Sequence, residues 1–199
     1  MSESRSTSML LQAGVQEKAL RLDSLEIVEP EHAAMIRLHA LPGAAIPGES
    51  LPRQVSQVAG QDPVRQCLRP TEWLIISDQL DAASLLASTR QEFPAPEFSA
   101  LDHSDGLARL RLSGPAAAWL LNKISGVDFT TITGSSQPQC LQTRLGHVRA
   151  VVYVHAAADK QQTTFDLIVD HSLARYLWEL LGNSAAHAEA LHARWPRPR

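Results

Sequence analysis

The sequence predicts an α+β protein: a duplicated, largely antiparallel sheet with packed helices. Three observations predict it. Short apolar or alternating runs bounded by turn residues recur along the 199-residue chain, as strands do. Amphipathic helical stretches lie among them, without the strict strand–helix alternation of a parallel sheet. A strand, acidic cap and amphipathic helix also occur twice, from Trp73 to Asp78 and onward, and from Phe165 to Asp170 and onward. When the two copies are aligned, Leu85 and Leu86 fall opposite Leu177 and Trp178.

Residues 1–19 are Ser-rich and lack a sustained hydrophobic period, so a flexible N-terminal arm is expected there. Strand character begins at Ala33–Ala40, where Met35 or Ile36, then Leu38 and Ala40, can share a face. LPGAAIPGESLPRQ follows, and its prolines and glycines predict a long loop, the kind of segment that often binds something. Glu72–Ser77 (EWLIIS) reads as a central strand. Asp78 or Asp81 then caps a helix carrying Ala82, Leu85, Leu86 and Thr89.

Leu107–Leu112 alternates cleanly. Ala108, Leu110 and Leu112 face one way and Arg109 and Arg111 the other, which predicts a half-buried strand. Ser113-Gly114-Pro115 starts a helix whose buried stripe is Ala116, Trp119, Leu120 and Ile124. Thr130–Gln139 is polar and uncharged and reads as a loop. CLQTRLGHVRAVVYVHA reads as two strands, with Thr143-Arg144 at the start of the hairpin. Thr164–Val169 is the next strand, with Asp159-Lys160 in the turn before it. Asp170 or Ser172 caps the helix Leu173–Leu181, and Gly182-Asn183 ends it. Ala185–Ala193 is a short further helix before a tail containing Trp195. The expected organisation is an arm at 1–19, one duplicated domain at 20–183 with halves of about 20–105 and 106–183, and an extension at 184–199.

Composition excludes several classes of function. A net charge of −3 leaves no basic stripe to neutralise phosphates, so no nucleic-acid partner is expected. No apolar run reaches the roughly 18–20 residues that cross a bilayer, and the patch around Met9–Leu11 is too short for a secretory leader. Two cysteines, Cys67 and Cys140, make no disulfide framework. They read as reduced and buried, and the expected location is cytoplasmic.

The chain carries little that could run a reaction. Neither the glycine-rich dinucleotide signature nor the P-loop occurs. His187 and His192 lie five apart, about 140° around a helix, which is poor geometry for one metal. Asp102-His103-Ser104-Asp105 imitates a triad in composition alone, because adjacent residues cannot line up as triads do, and it reads as a solvated turn. His147 and His155 read as surface or satisfied edge histidines, and Trp119 and Trp178 fit helix core stripes. No catalytic, cofactor-binding or metal-ligating residue is assigned. Two residues suit a partner interface: Arg144, whose guanidinium fits a carboxylate, and Trp195 in the tail.

Four segments in order, LRPTEWLIIS, LSGPAAAWLLNKISGVDF, CLQTRLGHVRAVVYVHA and TFDLIVDHSLARYLWELL, resemble the gamma subunit of heterotetrameric sarcosine oxidase. The resemblance spans about Arg69 to Leu181. That subunit family is distantly similar to the folate-binding aminomethyltransferase domain, the T-protein of the glycine cleavage system, and the kinship implies a duplicated α+β fold of that type. The T-protein-like G-Y-T-G-E, whose glutamate holds folate, does not occur here, so no folate role is carried onto Asp166. The resemblance implies alpha, beta and delta subunits as partners, chiefly alpha. It places FAD, FMN, NAD and zinc in those partners and none in this chain, with tetrahydrofolate as co-substrate. It implies oxidative demethylation of sarcosine to glycine, with hydrogen peroxide and formaldehyde or methylenetetrahydrofolate as the other products. Alternatives are a stand-alone folate or one-carbon binding protein, and the equivalent subunit of a complex acting on another N-methylated amino acid.

Overall fold

Strand alternation and helix caps determine most of the local structure, seen in a computed structural model that describes residues 8–31, 34–133, 137–157 and 163–194, the side chain of His192 apart. In chain order the elements begin with α1 (Met9–Gln12), β1 (Ala19–Leu22), β2 (Leu25–Val28), β3 (Ala34–Ala40), β4 (Val58–Ala59), β5 (Val64–Arg69) and β6 (Glu72–Ser77). Next come α2 (Ala82–Glu92), β7 (Phe98–Asp102), β8 (Leu107–Ser113), α3 (Ala117–Ile124) and α4 (Phe129–Ile132). The last are β9 (Gln139–Leu145), β10 (Val148–Val154), β11 (Thr164–Asp170) and α5 (Ala174–Arg194). The fold class is the mixed α+β arrangement with antiparallel sheets that the sequence predicts.

The chain divides into two compact units. One runs from Glu31 to Leu107; the other joins the chain up to Pro30 to everything from Ala108 onward. Two consecutive halves starting at residue 20 do not describe this. The hairpin of β1 and β2 adds to β8, with Glu26 opposite Ser113 and Val28 opposite Arg111, so the N-terminal strands belong with the C-terminal half. Cross-strand pairing is non-local and invisible to a period count.

In the Glu31–Leu107 unit the sheet order is β4-β5-β6-β3-β7. Ile36, Leu38, Trp73, Ile75, Phe98 and Ala100 share the face that packs with Leu85 and Phe93. Asp81 caps α2, its carboxylate accepting from the Ser84 N–H at 2.7 Å. The Pro/Gly-rich loop does not stand free. Leu51 is buried in this core, and the Trp73 indole N–H donates to the Pro52 carbonyl at 2.8 Å.

In the other unit the order is β1-β2-β8-β11-β10-β9. Its core joins Leu110, Leu112, Val152, Phe165 and Leu167 to Leu120 and Leu121 of α3 and Leu177 and Leu181 of α5. Phe129 of α4 meets Phe165 edge-on at 5.6 Å. The polar run after Thr130 gives no sign of that helix. It forms because Asp128 caps it through the Thr130 N–H and Phe129 anchors it in the core.

The duplication is visible in topology. The run β3, β4, β5, β6 lies in the spatial order β4-β5-β6-β3, and the run β8, β9, β10, β11 in the order β9-β10-β11-β8. In each, the fourth strand returns between the third and the first, and a helix follows. The aligned pairs behave alike as well: Leu85 and Leu177 are fully buried, while Leu86 and Trp178 are partly buried.

Two terminal expectations need correction. Residues 1–7 lie outside the described residues, but Met9–Gln12 are no free arm. Leu10 is wholly buried, and the Glu29 carboxylate accepts from the Met9 N–H at 2.6 Å, from the Leu10 N–H at 3.3 Å and from the Ser8 hydroxyl. A carboxylate at the first turn satisfies orphan N–H groups that a four-residue helix otherwise leaves open. At the other end, Gly182-Asn183 does not stop α5. Ala185 and Ala188 are buried in the same core as Leu181, and Glu189 accepts from the Ser24 N–H at 2.8 Å. This anchorage outweighs the cost of about 1 kcal/mol for a glycine within a helix. Asp159-Lys160 and Trp195 lie outside the described residues.

Candidate functional site

Strand pleating gives each sheet two faces, and the polar groups that gather lie on the face of the β8–β11–β10 strands turned away from their helices. Ala108, Leu110 and Leu112 point into the core, so Arg109 and Arg111 share the other face. Phe165, Leu167 and Val169 likewise put Asp166 there. Asp166 stands opposite Tyr153 of β10, and His155 follows the end of that strand. The strand expected to be half-buried has little open face here: Arg109 is 3% exposed and Asp166 2%, while Arg111 is half-buried.

Asp166 is the hub. Arg111 donates from Nε to Oδ1 at 2.7 Å and from Nη2 to Oδ2 at 2.9 Å, a two-pronged fork. Arg109 Nε lies 3.3 Å from Oδ2, and His155 Nε2 lies 3.0 Å from the same oxygen. The Tyr153 and His155 rings are 4.4 Å apart, which steadies the imidazole. Burial by itself pushes the Asp166 carboxyl up. The hydrogen bonds from His155 and Arg111 and the Arg109 and His155 charges outweigh it and hold the group well below the usual carboxylate range. Asp166 is therefore ionised and committed to its cations. The cluster ties β11 to β8 and to His155, the residue that follows β10.

The sequence had a signal for it. An acid in the middle of the apolar run Phe165–Val169 has to meet a cation, because a lone buried carboxylate is too costly to keep charged. Periodicity placed Arg109 and Arg111 on one face of their strand. It could not tell that this strand lies beside β11.

The other polar groups resolve separately. Asp102 accepts from the Ser104 N–H at 2.9 Å and from its hydroxyl at 2.7 Å, while the Ser104 oxygen accepts from the Met35 N–H at 3.0 Å. That serine is engaged within the turn. Burial and the nearby Arg37 charge hold His103 below the ordinary imidazole range. His147 sits in the hairpin turn, not on the strand that precedes His155, so the two histidines do not meet. His187 is on an exposed side of α5. Cys67 and Cys140 are both buried and unbridged. Among the described residues no group of three or more His, Cys, Asp or Glu is gathered as a metal site. No helix among them is long and apolar enough to cross a membrane.

Of the two residues expected at a partner interface, Trp195 is outside the described residues. Arg144 is exposed on β9, directly opposite Arg149 of β10.

The fold has solved counterparts. A chain of the heterotetrameric sarcosine oxidase of Corynebacterium sp. U-96, determined in complex with pyrrole 2-carboxylate, superposes with a TM-score of 0.72. It is 19% identical, and the match covers 92% of this chain and 95% of that one. The glycine cleavage system aminomethyltransferase T of Bartonella henselae matches with a TM-score of 0.56 at 14% identity, over 79% of this chain. The match covers only 45% of that enzyme. No family model matches the sequence, and no curated protein matches it in sequence. At these identities the likeness shows a shared fold.

Proposed function

We propose that this chain is an accessory subunit of a multi-subunit, flavin-dependent oxidase acting on an N-methylated amino acid such as sarcosine, in the position of a gamma subunit. The observation that carries this reading is the end-to-end match: 92% of this chain against 95% of a chain from a heterotetrameric sarcosine oxidase. A polypeptide of the same extent and fold is a component there, whereas the aminomethyltransferase is about twice as long as its matched part.

The polar chemistry of the chain agrees with a supporting role. Its best-formed cluster, around Asp166, is locked in ion pairs and binds strands together. In this reading FAD, FMN, NAD and zinc belong to partner subunits, and turnover of the methyl group to formaldehyde or methylenetetrahydrofolate occurs outside this chain. The chain packs on a large flavin-carrying subunit and stabilises the assembly.

The test is to purify the oxidase with and without this chain. Loss of assembly or turnover on omission supports the subunit role; an intact, fully active complex without it ends that reading.

The likeness to the aminomethyltransferase favours a second reading, a stand-alone folate or one-carbon binding protein. Titrating the purified chain with tetrahydrofolate separates the two. Micromolar binding by the isolated chain selects the second; no binding, together with association with a flavoprotein, selects the first.

A further inference from the structure

The hairpin of β9 and β10 carries two arginines where the sheet disfavours them. Arg144 and Arg149 are cross-strand partners, so their side chains leave the same face at directly opposed positions. Such positions bring Cβ atoms within about 4.5–5.5 Å, and like charges there are destabilising. Both residues are exposed. Among the described residues neither arginine has an ion pair.

The hairpin that presents them is anchored at its turn. Gly146 occupies the first place of its two-residue turn with a φ of 58°, and its N–H donates to the Ile124 carbonyl at 2.6 Å. The His147 N–H donates to the Tyr176 hydroxyl at 3.2 Å. Further along the same face, Tyr153 and Cys140 are opposed and buried, so the face passes from closed to open and the arginines lie at its open end. Two guanidinium forks on an anchored hairpin are preorganised for a carboxylate, and an unrelieved like-charge pair has a stability cost that such a carboxylate removes.

We propose that Arg144 and Arg149 form a paired-guanidinium clamp that seats an acidic side chain of a partner subunit. The proposal rests on the subunit reading above and adds the contact and its chemistry. A carboxylate between the two forks converts their repulsion into two charge-assisted contacts. The gain appears only on assembly, so the clamp favours the complex over the free chain.

The experiment uses the full chain and the flavin-carrying subunit of its own complex, with the wild type, Arg149→Glu, and Arg144→Glu with Arg149→Glu together. In the free chain, Arg149→Glu raises the melting temperature, because a glutamate opposite Arg144 replaces repulsion with attraction. In the complex, the double reversal weakens binding by about 30-fold or more, chiefly at low salt.

Wild-type and double-reversed chains that bind equally well overturn the clamp while leaving the subunit reading intact. A free chain that Arg149→Glu does not stabilise also counts against it, since the repulsion was then absent. A wild-type chain that fails to bind the flavin-carrying subunit at all defeats the subunit reading itself, and the clamp with it.

Discussion

Arg111 of β8 grips Asp166 of β11 in a two-pronged fork, with contacts of 2.7 and 2.9 Å between neighbouring strands of one sheet. Arg109 adds a second cation from the same strand at 3.3 Å. Removing the carboxylate leaves the buried Arg109 and the half-buried Arg111 guanidinium without it. Asp166→Ala is therefore expected to destabilise the chain by about 3–5 kcal/mol, as removing one partner of a buried pair does. Urea unfolding of the purified chain measures it, and a loss near zero would show that the cluster does not hold the strands.

The same carboxylate gives stability a pH dependence. Burial opposes its ionisation, yet His155, Arg111 and Arg109 hold it well below its ordinary value. In the unfolded chain an aspartate titrates near about 3.9, so below that pH the unfolded state takes up the proton first. This contribution is complete above the unfolded value and drains away as pH falls towards the folded one. Unfolding free energies followed from pH 6 downwards, with steps of about one unit, should drop less steeply in Asp166→Asn than in the wild type.

Two segments that look loose in sequence each bury one leucine in a core. Leu10 and Leu51 are 0% and 1% exposed. Leu10→Ala and Leu51→Ala should each cost about 2–5 kcal/mol, the range for large-to-small changes in a packed core. A free arm or an open loop would show almost no change in the same denaturation curves.

Glycines at two positions should respond in opposite directions. A Cβ on Gly146 would meet the Tyr176 hydroxyl at 2.6 Å and Leu180 at 2.9 Å, and the φ of 58° adds strain. Gly146→Ala should destabilise by about 1–3 kcal/mol. Gly182 lies within α5 with nothing within 4 Å of an added Cβ. Gly182→Ala should stabilise by about 0.5–1 kcal/mol. Thermal melts of the two variants beside the wild type test both signs at once.

Much of the fold was legible because it is written in local periods. The strand at Glu72–Ser77 has the bounds its apolar run suggested, and Asp81 caps α2 as its type allows. The Gly146 hairpin joins the two strands read on either side of it. The missed elements have weak local signals. β1 and β2 are four residues each, β4 only two, and they are strands because partners exist for them. Within the candidate site, Arg144 was visible as an exposed arginine in a strand. Its pairing with Arg149 required the register of the hairpin.

By itself, the sequence determined which residues are apolar on which face, which acid caps α2, and that strand, cap and helix occur twice. Those properties depend on neighbours within a few positions along the chain. Only the tertiary structure decided that the N-terminal hairpin joins β8, that α5 continues past Gly182, and that Asp166 meets two arginines 55 and 57 positions earlier in the sequence. Each of those outcomes depends on groups distant in sequence and close in space. Their energies come from burial and ion pairing, which no local pattern contains.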